Sequence, residues 1–230
     1  MQNNKYMNTN LIIKEKFDGG LKHALYSNFS NSTEAILELV DNAVGNRRPD
    51  KKLSVVLDIT ERELTISNTN GYGIQSLESF FNWGEIKKRR ETDLGAYSQG
   101  GKAAIGYLGK SFRLGITINS AVGKLLFIDD ENLHDYSLKE YRVNSMPLIG
   151  WSKGLTMIRI SGLSKKIKIK SLKDTLAEVY KPLIENNQIE IIVNDDKIKA
   201  AIFPVENKKQ FSFLTEAGLV IGWVGYLKEK

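Results

Sequence analysis

Apolar and polar residues alternate along several stretches of the chain with the two-residue period of a half-buried β-strand. Residues 53–59 and 63–67 show this alternation and are separated by three polar residues, which predicts a β-hairpin. Residues 189–193 and 197–203 flank an Asn-Asp-Asp turn and predict a second hairpin. Less regular alternation predicts further strands at residues 111–119, 124–129, 136–141, 156–161, 211–214 and 219–227.

Other stretches repeat their apolar residues with the 3.6-residue period of a helix. Residues 33–44 bury one apolar stripe, and Asn31, followed three residues later by Glu34, is a helix-capping pattern. Gly45 is the expected end of this helix. Helices are also expected at residues 21–29, 77–83, 100–108 and 172–185, the last with Pro182 as a kink or an end within it.

The composition is that of a globular chain and argues against several kinds of site. The 230 residues suffice for one substantial domain, and no window approaches 18 uncharged apolar residues, so no membrane span is expected. The lack of cysteine excludes disulfides, thiolate metal sites and a cysteine nucleophile. The two histidines lie far apart, which argues against a zinc site or a serine–histidine hydrolase. A cytoplasmic location is the resulting expectation.

Two basic segments stand out in a chain whose net charge is +6: residues 87–90 and residues 165–170. A solvated surface is the simpler interpretation of each segment. A surface for a polyanion is the sharper one, because Lys and Arg supply the sequence-independent part of nucleic-acid binding. On the second interpretation, the partner of these segments is DNA or another protein; a membrane partner is not expected.

Glu38 and Asn42 stand four residues apart in the helix predicted over residues 33–44. Side chains at this spacing share one face of a helix. A carboxylate that takes a proton from water, beside an amide oxygen that binds Mg²⁺, is a useful pair where a phosphate lies nearby. Considered alone, the pair is better explained as the polar face of an amphipathic helix, and only the motifs downstream favour the functional interpretation.

A glycine-interrupted loop, Gly-Ala-Tyr-Ser-Gln-Gly-Gly-Lys, occupies residues 95–102 and runs into a small-residue helix start at Ala103. Such a loop leaves backbone N–H groups free at a helix N-terminus, where they bind anions. It is not a Walker loop, because Ala103 stands where a metal-binding hydroxyl should follow Lys102.

Two further motifs complete an ordered set. Residues 64–74 are predicted to form an alternating strand that ends in the turn Gly71-Tyr72-Gly73. A later strand-like stretch contains Gly154-Leu155-Thr156. In chain order, the Glu–Asn helix, the Gly-x-Gly turn, the glycine loop and this Gly-x-Thr resemble the motifs of the GHKL ATPases. That superfamily includes gyrase, the ninety-kilodalton heat-shock chaperones, MutL and MORC proteins and, more distantly, histidine kinases. Two features are most similar to the MORC or MutL branch. They are the glutamate at position 38 of the first motif and the Gly-Lys-Ala-Ala sequence at residues 101–104, which ends the glycine loop.

The resemblance covers roughly residues 30–160 and implies a fold and a set of roles. The implied fold is an α/β two-layer sandwich of the Bergerat type, with a mixed, mainly antiparallel sheet covered on one face by helices. The implied cofactors are ATP and Mg²⁺, with Glu38 as the catalytic residue that activates water and Asn42 as the metal ligand. The other nucleotide-binding candidates are Asp41, Thr69, Gly71, Gly73, Gly95, Tyr97, Ser98, Gln99, Gly100, Gly101, Lys102, Ala103 and Thr156.

Two positions depart from the family pattern. Thr69 stands where the family has the aspartate that accepts a hydrogen bond from the adenine amino group, and a neutral hydroxyl is a weaker acceptor. Asn68 or a bridging water is a candidate to assist it. Ser98 stands where the loop usually has glycine, which narrows the conformations that the loop can adopt. These departures affect base recognition more than phosphate chemistry.

Three functions are consistent with the motifs. The leading one is slow ATP hydrolysis that drives a conformational switch and a nucleotide-dependent homodimer in a DNA-related or defence machine, with a chaperone-like ATPase as a variant. The second is a non-catalytic nucleotide-sensing module. The third, a sensor kinase, is disfavoured by Glu38 and by the lack of a phosphoacceptor helix pair. The ATP-binding domain is expected over residues 1–195, and residues 196–230 are expected to begin a truncated transducer-like domain.

Overall fold

The computed structural model describes residues 19–74, 80, 100–118, 121–137, 139–150, 154–216 and 218–227. The helix expected over residues 77–83, apart from Phe80, lies outside these residues, as do the basic segment 87–90 and most of the predicted glycine loop. The fold is therefore described from its sheet, its flanking helices and a C-terminal hairpin.

Eight strands form the main sheet, and two more form a separate hairpin. The strands are β1 (Leu53–Ile59), β2 (Glu63–Thr69), β3 (Ser111–Ile116), β4 (Lys124–Asp130), β5 (Asn144–Pro147), β6 (Thr156–Ser161), β7 (Ile189–Val193), β8 (Asp196–Lys197), β9 (Val205–Thr215) and β10 (Gly218–Leu227). The order in the main sheet is β5–β4–β3–β6–β2–β1–β7–β8. All neighbours in it are antiparallel except β1 and β7. The predicted mixed, mainly antiparallel sheet is confirmed.

The helices cover one face of this sheet and complete the two-layer sandwich that the sequence predicts. They are α1 (Gly19–Tyr26), α2 (Ser32–Gly45), α3 (Gly100–Leu108), α4 (Ile169–Val179) and α5 (Lys181–Glu185). Ile36 and Leu39 of α2 belong to the same buried cluster as Leu57 and Leu64 of the sheet. Among the described helices, none is both long and apolar enough to cross a membrane.

Helix α2 begins with the capping pattern that the sequence predicts. The Asn31 side chain accepts a hydrogen bond from the Glu34 N–H at 3.0 Å, and the Glu34 carboxylate accepts one from the Ser30 N–H at 2.8 Å. These bonds satisfy backbone donors that the helix cannot pair internally. At the other end the helix includes Gly45, and Asn46 rather than Gly45 is the C-cap.

The predicted strand over residues 136–141 is wrong. The segment is irregular, and its side chains attach it to the end of β4. The buried Asp130 carboxylate accepts hydrogen bonds from Lys139 Nζ at 2.8 and 3.0 Å and from the Tyr141 hydroxyl at 2.8 Å. A buried carboxylate needs such partners to offset its lost hydration. The strand that pairs with the outer edge of β4, on the side away from β3, is β5, which lies further along the chain.

The predicted helix over residues 172–185 is divided in two at Tyr180. Pro182 lies in the first turn of α5, where its missing N–H costs no helical hydrogen bond. The Tyr180 side chain is buried, and its hydroxyl donates to the Asp41 carboxylate of α2 at 2.6 Å. The break therefore places a side chain that fastens α2 to the C-terminal end of α4.

The C-terminal region contains a short strand in the main sheet and a separate hairpin. Strand β8 is shorter than the predicted 197–203 and pairs with β7, while β9 and β10 pair only with each other in the sheets described. The proposed division of the chain into residues 1–195 and 196–230 stays a prediction.

The contact between α1 and α3 predicts a large effect of one methyl group. A Cβ at Gly106 would lie 2.3 Å from atoms of the buried Tyr26 ring. We expect Gly106→Ala to lower the free energy of unfolding by about 1–3 kcal/mol, because the packed ring must shift to accommodate the added methyl group. Urea unfolding measures this change.

The matched control is Gly20→Ala in α1, where a Cβ would meet nothing within 4 Å. It should be neutral or slightly stabilising, because alanine has the higher helix propensity. Equal effects of the two substitutions would contradict the packing argument.

Candidate functional site

A cavity of about 150 Å³ lies between α2, α3 and the helix-covered face of the sheet. Apolar side chains from α2 and the strands form its walls, and polar side chains lie at several points around it. The lining residues are Leu39, Asn42, Ala43, Asn46, Ile66, Asn68, Ile74, Phe80, Gly101, Lys102, Thr156 and Ile158. Apolar walls with a few convergent polar groups are typical of a small-molecule site.

Close backbone contacts between glycines hold one side of this cavity together. Gly73 and Gly154 both have positive φ, at 68° and 76°, which favours glycine. A Cβ at Gly73 would lie 2.8 Å from the Gly154 Cα, and a Cβ at Gly154 would lie 2.3 Å from the Gly71 carbonyl oxygen. The Tyr72 N–H donates to the Asn46 carbonyl oxygen at 2.7 Å. The Gly-x-Gly turn therefore contacts both the Gly-x-Thr segment and the end of α2.

Asn68 and Thr156 form the polar floor of the cavity. They are opposite each other in the β2–β6 register, and their exposed fractions are only 7% and 8%. Among the residues that the structure describes, neither side chain has a hydrogen-bonding partner. A buried amide without a partner is costly, so this floor fits a ligand that supplies hydrogen bonds.

Thr69, which the motif designates for the base, lies on the other face of β2. Leu64, Ile66 and Asn68 alternate as the buried residues of that strand, whereas Thr69 pairs with Ser54 of β1 and is half-buried. Thr69 is not among the described residues that line the cavity. Asn68 is the residue that counting back from the glycines misses, and the alternation of β2 is the signal that identifies it.

Glu38 and Asn42 lie together, as their spacing predicts. Asn42 Nδ2 donates to the Glu38 carbonyl oxygen at 2.7 Å and to Glu38 Oε1 at 3.3 Å. The amide oxygen Oδ1 is thereby left as the atom that can bind a cation. Burial raises the pKa of Glu38; the hydrogen bond from Asn42 opposes this rise, and the nearby Asp41 adds to it.

The first residues of α3 approach this pair so closely that an added Cβ would displace the Glu38 carboxylate or press on the Asn42 amide. A Cβ at Gly100 would lie 2.0 Å from Glu38 Oε1, and a Cβ at Gly101 would lie 3.0 Å from Asn42 Nδ2. Lys102 is buried, with an exposed fraction of 6%, and its Nζ lies 5.8 Å from the centre of the Phe80 ring. The next residue, Ala103, is also buried. The N-terminus of α3 therefore faces the Glu38–Asn42 pair.

Asp41 has a different position from its neighbours. Its carboxylate accepts the hydrogen bond from Tyr180, and it is not among the described residues that line the cavity. Burial raises the pKa of Tyr180, and the hydrogen bond to Asp41 raises it further. This geometry gives Asp41 a role in fastening α2 to α4.

Four of the candidate residues, Gly95, Tyr97, Ser98 and Gln99, lie outside the described residues. Of the others, the structure brings Asn42, Gly101, Lys102 and Thr156 to the cavity itself. Glu38 lies against Gly100 beside it, and Gly71 and Gly73 contact the backbone of Asn46 and Gly154 without lining it. Their functional roles stay predictions.

The residues present fit a nucleotide with its metal ion. The floor presents an amide and a hydroxyl that no described residue pairs, and the glycines of α3 allow its first turn to lie against Glu38 and Asn42. Within the described part of the chain, no three His, Asp or Glu side chains lie close enough to hold a metal ion. A Mg²⁺ at Asn42 would therefore take most of its ligands from phosphate and water, as Mg²⁺ usually does.

Solved structures share this two-layer α/β architecture with its mixed, mainly antiparallel sheet. The ATPase and transducer domains of DNA topoisomerase II from Balamuthia mandrillaris superpose with a TM-score of 0.56 at 14% identity, over 79% of this chain and 56% of that one. The ATPase region of Saccharomyces cerevisiae topoisomerase II superposes with a TM-score of 0.52 at 13% identity, over 73% and 48% of the two chains. The same yeast region bound to ICRF-187 (dexrazoxane) gives a TM-score of 0.53.

These similarities establish the shared fold. The chain spans about half the length of the topoisomerase chains that it matches. No family model and no curated protein sequence matches it.

The partial burial of Glu38 predicts a pH-dependent difference in stability. Because its pKa is raised in the folded protein, the stability that Glu38 contributes is present below its unfolded pKa and is lost as the pH rises through the folded pKa. We expect the wild type to lose stability relative to Glu38→Gln as the pH rises from about 4 to about 7. Urea unfolding of both proteins across this range measures the difference. A difference that does not change with pH would contradict the burial argument.

Proposed function

We propose that this chain binds ATP with Mg²⁺ and hydrolyses it slowly, and that closure around the nucleotide drives a conformational and dimerisation switch. The observation that carries the proposal is the cavity in which the buried Asn68 amide, which no described residue pairs, and the Asn42 amide lie on the same surface. The floor at Asn68 and Thr156 suits a base, and the end at Asn42 and Lys102 suits phosphates. The shared fold of ATPase domains supports the same assignment.

Glu38 is the proposed general base. Its carboxylate would accept a proton from the attacking water, a contribution of about 10²–10⁴-fold to the rate. Burial raises its pKa, which makes the carboxylate a stronger base than an exposed glutamate. The hydrogen bond from Asn42 Nδ2 fixes its orientation toward the N-terminus of α3.

Charge at the phosphates would be balanced by this chain's own groups. The Lys102 ammonium and the backbone N–H groups at the start of α3 would neutralise phosphate oxygens. Asn42 Oδ1 would hold the Mg²⁺, which supplies electrostatic stabilisation of the transferring phosphoryl group when bound. The apolar walls formed by Ile66 and Ile158 exclude water from the base.

The wider assignment is also a proposal. We place the chain on the MORC- or MutL-like side of the GHKL ATPases, in the cytoplasm, within a DNA-related or defence machine, because of the Glu-type motif and the Gly-Lys-Ala-Ala sequence at residues 101–104. A chaperone-like ATPase is a variant of this proposal. A non-catalytic nucleotide sensor is the alternative from a different class, and it is distinguished by binding without turnover.

Calorimetric titration with Mg²⁺ and ATP tests the proposal. The wild type should bind ATP in a Mg²⁺-dependent manner, and Asn42→Ala should weaken that binding at least about ten-fold, because it removes the cation ligand. Glu38→Gln should bind ATP about as tightly as the wild type but hydrolyse it at least about a hundred-fold more slowly.

The control is Asn144→Ala, which removes an exposed amide on β5 and should leave ATP binding unchanged. No ATP binding by the wild type would contradict the proposal. Binding without turnover by the wild type would favour the nucleotide-sensing alternative.

The basic segment 165–170 supports an additional partner. Its four lysines are exposed and, among the described residues, have no carboxylate partner. Two of them, Lys168 and Lys170, stand at the N-terminus of α4, where cations oppose the helix dipole and no side-chain cap is present. Helix stability does not explain these lysines. We propose DNA as the partner of this surface. The segment follows the end of β6 at Ser161, whereas Thr156 of the cavity floor begins that strand.

Salt dependence of DNA binding tests this surface. Alanine at all four lysines should weaken binding to duplex DNA and lower the slope of log K against log [salt] by about 0.9 for each phosphate that a lysine no longer neutralises. Fluorescence anisotropy at several salt concentrations measures the slope. The charge-matched control replaces four other exposed lysines, Lys51, Lys124, Lys199 and Lys209. Equal weakening by both sets would contradict a specific surface.

A further inference from the structure

We propose that Asn68, rather than Thr69, distinguishes the base of the bound nucleotide, and that its amide admits guanine as well as adenine. This inference rests on the proposed nucleotide-binding function and identifies the class of substrate at the same site. It follows from the position of Asn68 on the sheet, its lack of partners within the described part of the chain and the hydrogen-bonding capacity of an amide.

The position of Asn68 follows from the register of the sheet. It is directly opposite Thr156 on β6 and Val55 on β1, at the centre of the main sheet, and it faces the helices. Thr69, one residue later, belongs to the face that carries the Glu63–Arg159 ion pair at 2.6 Å. A side chain on that face is separated from the cavity by the sheet itself. A shift of one residue along a strand therefore exchanges the side chain that can contact the base.

The orientation of the Asn68 amide is not fixed by the described residues. Its exposed fraction is 7%, it lines the cavity, and no described side chain or backbone group forms a hydrogen bond with its side chain. The terminal torsion of asparagine is broad and roughly two-fold. The amide can therefore present its oxygen and its nitrogen in either order to a ligand.

Those two orders correspond to the two purines. With one orientation, Oδ1 accepts from the adenine amino group while Nδ2 donates to a neighbouring ring nitrogen, a known bidentate pairing of amides with adenine. With the amide turned over, Nδ2 donates to the guanine O6 while Oδ1 accepts from the guanine ring N–H. The Thr156 hydroxyl both donates and accepts, so it can complete either arrangement. A carboxylate only accepts, so it would serve the adenine amino group and repel a guanine O6 placed at the same position.

The test compares the ATP and GTP affinities of four proteins by calorimetry with Mg²⁺. The wild type should bind both nucleotides within about ten-fold of each other. Asn68→Asp should retain ATP and lose at least about ten-fold in GTP affinity, since a bidentate pair typically provides discrimination of this size. Asn68→Ala should lose affinity for both nucleotides alike. Thr69→Val, the competing variant, should leave the ratio of the two affinities at its wild-type value.

The outcomes separate the two proposals. A wild type that binds ATP at least about a hundred-fold more tightly than GTP would overturn the inference and leave the ATP-binding proposal intact. A change of the ratio in Thr69→Val but not in Asn68→Asp would also overturn it. A wild type that binds neither nucleotide would overturn both proposals. Thermal unfolding of each variant confirms that it is folded, and the wild-type ratio remains decisive if Asn68→Asp does not fold.

Discussion

The close backbone approach between the Gly-x-Gly turn and Gly154 is the constraint on which the site depends. A side chain at position 73 or 154 would collide with backbone atoms at 2.8 or 2.3 Å. Because glycine removes this obstacle, the end of β2 and the start of β6 lie side by side, and Asn68 comes to face Thr156. The Tyr72 hydrogen bond to Asn46 ties the same turn to α2, one helical turn after Asn42. One turn therefore sets the position of the cavity floor relative to the Glu38–Asn42 pair.

Elements with strict periodicity could be predicted from the sequence because local burial determines them. Helix α3 begins and ends where the small-residue pattern places it, and β6 has its expected bounds. The segment 136–141 could not be predicted in this way. Its order comes from Lys139 and Tyr141 reaching the buried Asp130, a polar interaction that hydrophobic periodicity does not report. The division of the predicted helix lies two residues before Pro182, where the sequence predicts a kink or an end, but the hydrogen bond of Tyr180 to the distant Asp41 could not be predicted.

The candidate site also combines residues that local spacing predicts with residues that only the tertiary structure identifies. Glu38 and Asn42 are neighbours because helical spacing alone brings them together, and Gly100 and Gly101 are explained by their contact with that pair. Motif counting designates Thr69, but the face that a side chain occupies is decided by strand register, which places Asn68 on the cavity. The same physical features that make the site useful oppose stability: a half-buried Glu38 carboxyl with a raised pKa, and a buried amide that no described residue pairs.

The central claim is that a purine nucleotide occupies this cavity with its base on the floor and its phosphates toward α3. A crystal structure of the protein with Mg²⁺ and a non-hydrolysable ATP analogue tests this claim most directly. The account predicts that the base contacts Asn68 and Thr156, that the metal contacts Asn42, and that the terminal phosphate lies beside Glu38. An analogue bound elsewhere on the protein, or a base held by Thr69 with Asn68 uninvolved, would contradict it.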